Sequence, residues 1–148
     1  MLDRRARRPY PILMEDPVAP GLADFEEMAA SAFAALPEIF RARCGAVLIR
    51  VADFAEADVL REMEIDDPFE LTGLYSGVDL TRKSLDDIAP APDEVWLYRR
   101  PILDEWAERG DVGLQELVNH VLVHEIGHHF GLNDEEIGAI ESRGQGAV

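Results

Sequence analysis

The chain has 148 residues, of which 47% are hydrophobic, and this is enough for one domain with a buried core. No apolar run approaches the roughly 20 residues of a membrane-spanning helix, and the N-terminal PYPILM segment is too short for the core of a secretion signal. The net charge of −16 disfavours nucleic acid, and the single cysteine favours a reducing compartment. We therefore expect a cytoplasmic protein without a nucleic-acid or membrane partner.

The chain begins with an Arg- and Pro-rich segment, so residues 1–18 are predicted to be a flexible arm and residues 19–148 one domain. Apolar residues recur every three or four positions from Leu22 to Leu36, which predicts an amphipathic helix. Pro37 is expected to end it.

The middle of the chain predicts short elements. The β-branched run at 46–51 predicts a buried strand, and Asp53 is expected to cap a short helix at 54–63. The remaining predictions are a strand at 71–75, a loop at 78–93, a strand at 94–98, a long helix at about 111–130 and a shorter one at 133–142. This order of elements predicts an α/β (α+β) fold of a single domain.

A candidate metal centre lies in the predicted long helix. His124 and His128 are four residues apart, so their imidazoles share one helix face about 6 Å apart along the axis and can bind one Zn²⁺. Glu125 follows the first histidine and is predicted to be the general base that takes a proton from a metal-activated water. Gly131 should end the helix and turn the chain, so that the Asp134 carboxylate can be the third ligand.

The third ligand has alternatives. Asn133 and Glu136 also fit a capping box at the start of the last helix, in which Asp134 would be a first-turn acid that the helix dipole favours. Glu135 or Glu136 would then be substitutes for Asp134 as the ligand. The sequence leaves these readings open.

Other residues near the motif have simpler explanations. His120 and His129 need not bind metal, because a histidine near a helix C-terminus or against a partly polar core is stable without one. Gly127 lies between the proposed ligands and costs about 1 kcal/mol relative to alanine in a helix. This indicates either the close approach of another backbone or a glycine that the helix simply tolerates. Tyr75 and Tyr98 are interpreted as packing residues of strands rather than catalytic groups.

The segment HEIGHHFGLND at 124–134, with GLYSG at 73–77 and LYRRP at 97–101, resembles the bacterial minimal zincins, which are small predicted zinc-dependent peptidases. The likeness extends over about residues 20–142. It implies a compact zincin-like fold with a small twisted sheet beside the active-site helix, zinc at that helix, and peptide hydrolysis as the activity.

The sequence departs from two related groups. Longer metzincins carry histidine where this chain has Asp134, and they carry a methionine turn after the motif, whereas the last methionine here is Met63. The metal-dependent endoribonucleases that process ribosomal RNA place three histidines at a similar spacing but lack the glutamate after the first one. Glu125 and the charge of −16 argue against that activity.

Two functions remain after this reading. In the first, a zinc peptidase aligns an extended peptide or protein substrate along an exposed strand, at either 71–76 or 94–99. In the second, a catalytically inactive zincin-like module binds metal and takes part in protein–protein interaction. The short chain favours the second somewhat, because it leaves little length for a deep cleft or a lid.

Overall fold

The computed structural model describes residues 18–77 and 93–146. The helices of these ranges are α1 (Leu22–Ala34), α2 (Glu38–Cys44), α3 (Ala57–Glu62), α4 (Arg99–Arg109), α5 (Leu114–His129) and α6 (Asp134–Gly146). The strands are β1 (Leu48–Ala52), β2 (Gly73–Ser76) and β3 (Glu94–Tyr98), and a 3₁₀ turn covers Pro68–Glu70. The predicted α/β fold of a single domain is thereby confirmed. The arm predicted at 1–18 and the loop predicted at 78–93 fall almost wholly outside the described residues.

The three strands form one mixed sheet with β3 in the centre. β1 pairs with β3 in parallel, β2 pairs with it antiparallel, and the order is β1-β3-β2. Val95 and Leu97 of β3 point to the same face of the sheet and are fully buried in the core. The strand at 94–98 therefore does not form a sheet edge, and of the two strands proposed to align a peptide only the one at 71–76 remains.

The core forms where α1 and α5 pack against the sheet. Both helices bury apolar side chains that recur every three or four positions, and full burial of each large side chain stabilises the fold by about 1.5–3 kcal/mol. The buried residues of these two helices are Phe25, Ala29, Ala32, Leu117, Val118, Val121, Leu122, Ile126 and Gly127. One face of α5 is thus held in the core, and its other face is available for polar side chains.

No helix in the described ranges is long and apolar enough to cross a membrane. The longest of them, α5, has 16 residues and carries four histidines and two glutamates among its apolar positions. Its apolar side chains are accounted for by packing against α1 and the sheet.

Three details of the N-terminal half differ from the prediction. β1 is an edge strand whose first residue, Leu48, is 39% exposed, so the expectation of a buried strand was wrong. Asp53 does not cap α3, which begins after Glu56; its carboxylate accepts a hydrogen bond from Arg99 Nε at 2.7 Å instead. α2 was not predicted, because its seven residues are too few to show a helical period in the sequence.

The turn between α5 and α6 follows the sequence prediction closely. Gly131 has a φ of +79°, and its N–H donates to His128 O at 2.9 Å, while Leu132 N–H donates to Gly127 O at 3.0 Å. This pair of hydrogen bonds is a Schellman motif, which a residue without Cβ forms at least cost. The chain therefore reverses within four residues, and α6 begins directly beside the C-terminal end of α5.

Gly127 allows α6 to pack closely on α5. A Cβ at this position would lie 2.6 Å from Cγ1 and 2.7 Å from Cδ1 of Ile137, which is fully buried on α6. The prediction of a close neighbour at Gly127 was right, but its identity was wrong: the neighbour is a side chain rather than a backbone. The side chain of Ile137 fills the space beside Gly127, and this space exists because glycine has no Cβ.

We expect Gly127→Ala to be less stable than Gly138→Ala by at least about 1 kcal/mol. Both residues lie in helices, so alanine gains similar helix propensity at each, but overpacking costs about 1–3 kcal/mol only at Gly127. A Cβ at Gly138 would meet nothing within 4 Å. Chemical denaturation of both metal-free variants measures the difference, and equal free energies of unfolding would contradict the proposed packing.

Candidate metal centre

The two histidines of the candidate centre lie on the side of α5 along which α6 folds back. The ring centroids of His124 and His128 are 5.8 Å apart, as the spacing of one helical turn predicts. The His124 side chain is 27% exposed and that of His128 is 51% exposed. The pair is therefore accessible to an ion from solvent.

Asp134 lies across from both histidines. Its Oδ1 is 3.5 Å from His128 Nε2 and 3.8 Å from His124 Nδ1. Two ligand atoms of a tetrahedral zinc site lie about 3.3 Å apart, because each is 2.0–2.1 Å from the ion. One donor atom from each of the three residues lies within 4.8 Å of the others, and an Asp134 carboxylate that is 81% exposed has room to move toward an ion.

The capping box exists beside this arrangement rather than in place of it. Asn133 N–H donates to Glu136 Oε1 at 3.0 Å, and Glu136 N–H donates to Asn133 Oδ1 at 2.8 Å. Glu136 is thus held by the cap, and Asp134 at the first helical position is left to face the histidines. The cap and the carboxylate that faces the histidines belong to different residues, so the capping box does not exclude Asp134 as the third ligand.

Glu125 occupies the space between α5 and β2. The backbone N–H of Tyr75 faces its carboxylate and favours the charged form, and a Cβ at Gly73 would lie 3.3 Å from its Cγ. Burial raises the pKa of Glu125 above the ordinary carboxyl value, while His128 and the Tyr75 N–H oppose that rise. A carboxylate with a raised pKa is a stronger base, which suits a residue that must take a proton near neutral pH.

The environment of His124 keeps its imidazole neutral. Burial lowers the pKa of His124, and the neighbouring His120 lowers it further, although Glu141 and Asp134 act in the opposite direction. Only a neutral imidazole binds a metal. The protein therefore presents this histidine in the protonation state that an ion requires.

His129 belongs to a buried polar cluster instead of the metal face. Its ring stacks on Tyr75 with centroids 4.0 Å apart, and its Nε2 is 3.6 Å from Asp93 Oδ2. Tyr75 Oη donates to the same Asp93 oxygen at 3.2 Å, and burial raises the pKa of Tyr75 far above its ordinary value. Tyr75 and His129 therefore pack together and hold β2 against α5.

Tyr98 is a packing residue of the second, smaller core cluster. Its side chain is almost fully buried with Ala55 and Leu71. Burial, followed by the charges of Glu125 and Glu56, raises the pKa of Tyr98 to about 12. A phenol with this pKa stays neutral at physiological pH, which agrees with a structural position in the strand.

Glu141 is the residue that the sequence interpretation missed. It lies on α6 with Oε2 2.8 Å from His120 Nδ1 and Oε1 3.9 Å from His124 Nε2. Glu141 is seven residues after Asp134, and two helical turns place both carboxylates on the same face of α6. That spacing was visible in the sequence, but it carries meaning only once α6 is known to fold back along α5.

A small sheet beside a helix that carries paired histidines and a partly buried glutamate is the arrangement expected of zincin-type metallopeptidases. A sequence model of the zincin-like metallopeptidase family matches residues 44–144, and the chain belongs to this family. No curated protein matches the chain significantly. Membership confirms the resemblance to the minimal zincins and implies a bound metal, which in this family is usually zinc.

We expect Asp134→Ala to weaken Zn²⁺ binding at least about tenfold, since even residues that only support a ligand contribute that much. Asn133→Ala should instead cost about 1 kcal/mol of stability and change the affinity less than twofold, because it removes only the cap. Competition with a chromophoric chelator measures the affinity, and thermal unfolding of the metal-free forms measures the stability. Glu135→Ala is the matched control, and an affinity loss at Glu135 in place of Asp134 would reassign the third ligand.

Proposed function

We propose that the protein is a zinc-dependent peptidase in which His124, His128 and Asp134 hold Zn²⁺ and Glu125 is the general base. The observation that supports this most is the position of the Glu125 carboxylate. It faces the backbone of β2 at Tyr75, and it belongs to the helix that carries the two histidines. A base in this place lies between the metal ligands and the strand along which a peptide would pair.

The proposed reaction divides the chemistry between the ion and the chain. Bound Zn²⁺ would act as a Lewis acid that lowers the pKa of water and polarises the scissile carbonyl. The carboxylate of Glu125 accepts one proton from the attacking water and then delivers it to the nitrogen of the leaving amine. The raised pKa of Glu125 suits both transfers, because the carboxyl must be able to hold the proton between them.

The substrate is proposed to bind as an extended peptide along β2. Thr72 O accepts a hydrogen bond from Tyr98 N–H, so the backbone groups of Thr72 point toward β3. Because the direction of the backbone groups alternates along a strand, those of Gly73 and Tyr75 point away from β3. The N–H of Tyr75 accordingly reaches Glu125 instead of β3. Within the described ranges no further strand pairs with this edge, so its other outward backbone groups, those of Gly73 and the carbonyl of Tyr75, suit an added peptide strand.

Glycine at position 73 is what allows β2 to lie so close to α5. A Cβ there would meet Val121 Cγ1 at 2.8 Å and Trp96 O at 3.1 Å, as well as Glu125 Cγ at 3.3 Å. The first and last of these atoms belong to α5 and the second to β3, so the strand is confined from both sides. The separation between the proposed base and the proposed peptide-binding edge is therefore fixed by packing.

We expect Glu125→Gln to retain Zn²⁺ and to lower peptide hydrolysis about 10²- to 10⁴-fold, because the amide fills the same space but does not accept the proton. The assay is degradation of unfolded proteins and mixed peptides, with and without chelator. Glu108→Gln, an exposed position on α4, is the control and should keep full activity. Equal turnover of parent and Glu125→Gln would remove this residue from the mechanism, and no chelator-sensitive hydrolysis by the parent would favour the inactive module.

We expect Gly73→Ala to lower turnover at least about tenfold while Zn²⁺ affinity changes less than threefold. The added methyl group must push β2 away from α5 and shift the Glu125 side chain, but it touches none of the three proposed ligands. Gly138→Ala provides a control glycine with free space around it. Normal turnover of a folded Gly73→Ala protein would show that the spacing between β2 and Glu125 is not critical.

A further inference from the structure

A second group of metal-binding side chains lies one helical turn from the first, toward the N-terminus of α5. Glu141 Oε2 and Oε1 are 2.8 and 3.1 Å from His120 Nδ1, and Oε1 is also 3.9 Å from His124 Nε2. One donor atom from each of these three residues lies within 4.8 Å of the others. Across the described ranges, only this group and the one formed with Asp134 have this property.

The donor set and its distances suit zinc as well as the first group does. Two imidazoles and one carboxylate are an established ligand set for zinc. The measured separations of 2.8 to 3.9 Å lie on both sides of the roughly 3.3 Å between ligands of a tetrahedral ion. Glu141 is only 20% exposed, against 81% for Asp134, so water screens its attraction for a cation less.

The two groups share His124, but they face different nitrogens of its ring. Nδ1 lies 3.8 Å from Asp134, whereas Nε2 lies 3.9 Å from Glu141. A neutral imidazole has one nitrogen with a free lone pair and one that carries hydrogen, so it binds one ion at a time. The tautomer of His124 therefore decides which of the two groups has three donors.

We propose that His120, His124 and Glu141 form a second Zn²⁺ site, alternative to the one at His128 and Asp134. An ion in this site takes the Nε2 lone pair of His124, and the proton of that ring moves to Nδ1. The first site is then left with His128 and Asp134 alone. This inference concerns metal binding, so it does not rest on the proposed peptidase activity.

His120 and Glu141 could instead support the first site, and that role predicts a different effect of their removal on the zinc affinity of the parent protein. If Glu141 and His120 only orient His124 for the first site, their removal should weaken zinc binding by the parent protein about 10- to 100-fold. If they form an alternative site, the first site keeps all its ligands in His120→Ala and Glu141→Gln. The parent affinity should then change less than threefold.

The decisive experiment uses the full chain with the first site removed. The variant His128→Ala/Asp134→Ala keeps the second group complete, and both replaced side chains are half or more exposed, so the core is unaffected. We expect its metal-free form to bind one Zn²⁺ in competition with a chromophoric chelator at neutral pH. Addition of His120→Ala or Glu141→Gln should lower this affinity at least about tenfold, and addition of Glu135→Gln, the same change of charge on α6, should alter it less than twofold.

Three results would overturn the second site. The first is a folded His128→Ala/Asp134→Ala protein that binds no zinc. The second is zinc binding by this variant that neither His120→Ala nor Glu141→Gln weakens. The third is a 10- to 100-fold loss of zinc affinity when either change is made in the parent protein. Asp134→Ala alone supplies a second background for the same comparison if the double variant does not fold. Failure of the peptidase proposal is recognised separately, since it depends on hydrolysis by the parent and Glu125→Gln.

Discussion

The close packing of α6 on α5 is the constraint on which the candidate centre depends. Ile137 fills the space that Gly127 leaves, and the Schellman turn at Gly131 returns the chain within four residues. As a result the acidic face of α6 runs beside the histidine face of α5. Asp134 reaches one end of that face and Glu141 reaches the other, so a single helix–helix contact supplies the carboxylates of both candidate metal-binding groups.

The second determinant is the contact between α5 and β2. The stack of Tyr75 on His129 and the missing side chain at Gly73 bring the strand against the helix. Glu125 lies between them, and burial there raises its pKa. The same glutamate on an exposed helix face would be an ordinary solvated carboxylate with no preferred partner.

Charge explains why a chain with so many acids can form this centre. Carboxylates of α6 face imidazoles of α5, and burial keeps the His124 imidazole neutral instead of charged. An apo site of this kind contains negative charge that is not fully compensated, which attracts a cation. A divalent ion between the two helices would therefore also bind α6 to α5, in the way that structural metals stabilise small domains.

The sequence by itself determined what depends on local physics. It predicted α1, the strand at 94–98, the α5–α6 turn at Gly131 and the cap at Asn133, since each rests on period, propensity or hydrogen bonds between near neighbours. It also indicated His124 and His128, because a separation of four residues in a helix places two side chains on one face. The sequence did not predict the short helix α2 or the exposure of β1, because neither follows from a local pattern of residues.

Only the tertiary structure decided which distant residues meet. The sheet order placed β3 in the centre and so left β2 as the proposed peptide-binding edge. The fold-back of α6 brought Glu141 to His120, although the two are 21 positions apart in the sequence. The physical reason is the same in both cases. Which strands pair and which helices pack together depends on the total apolar surface buried and on steric fit, and both are properties of the whole chain rather than of any one segment.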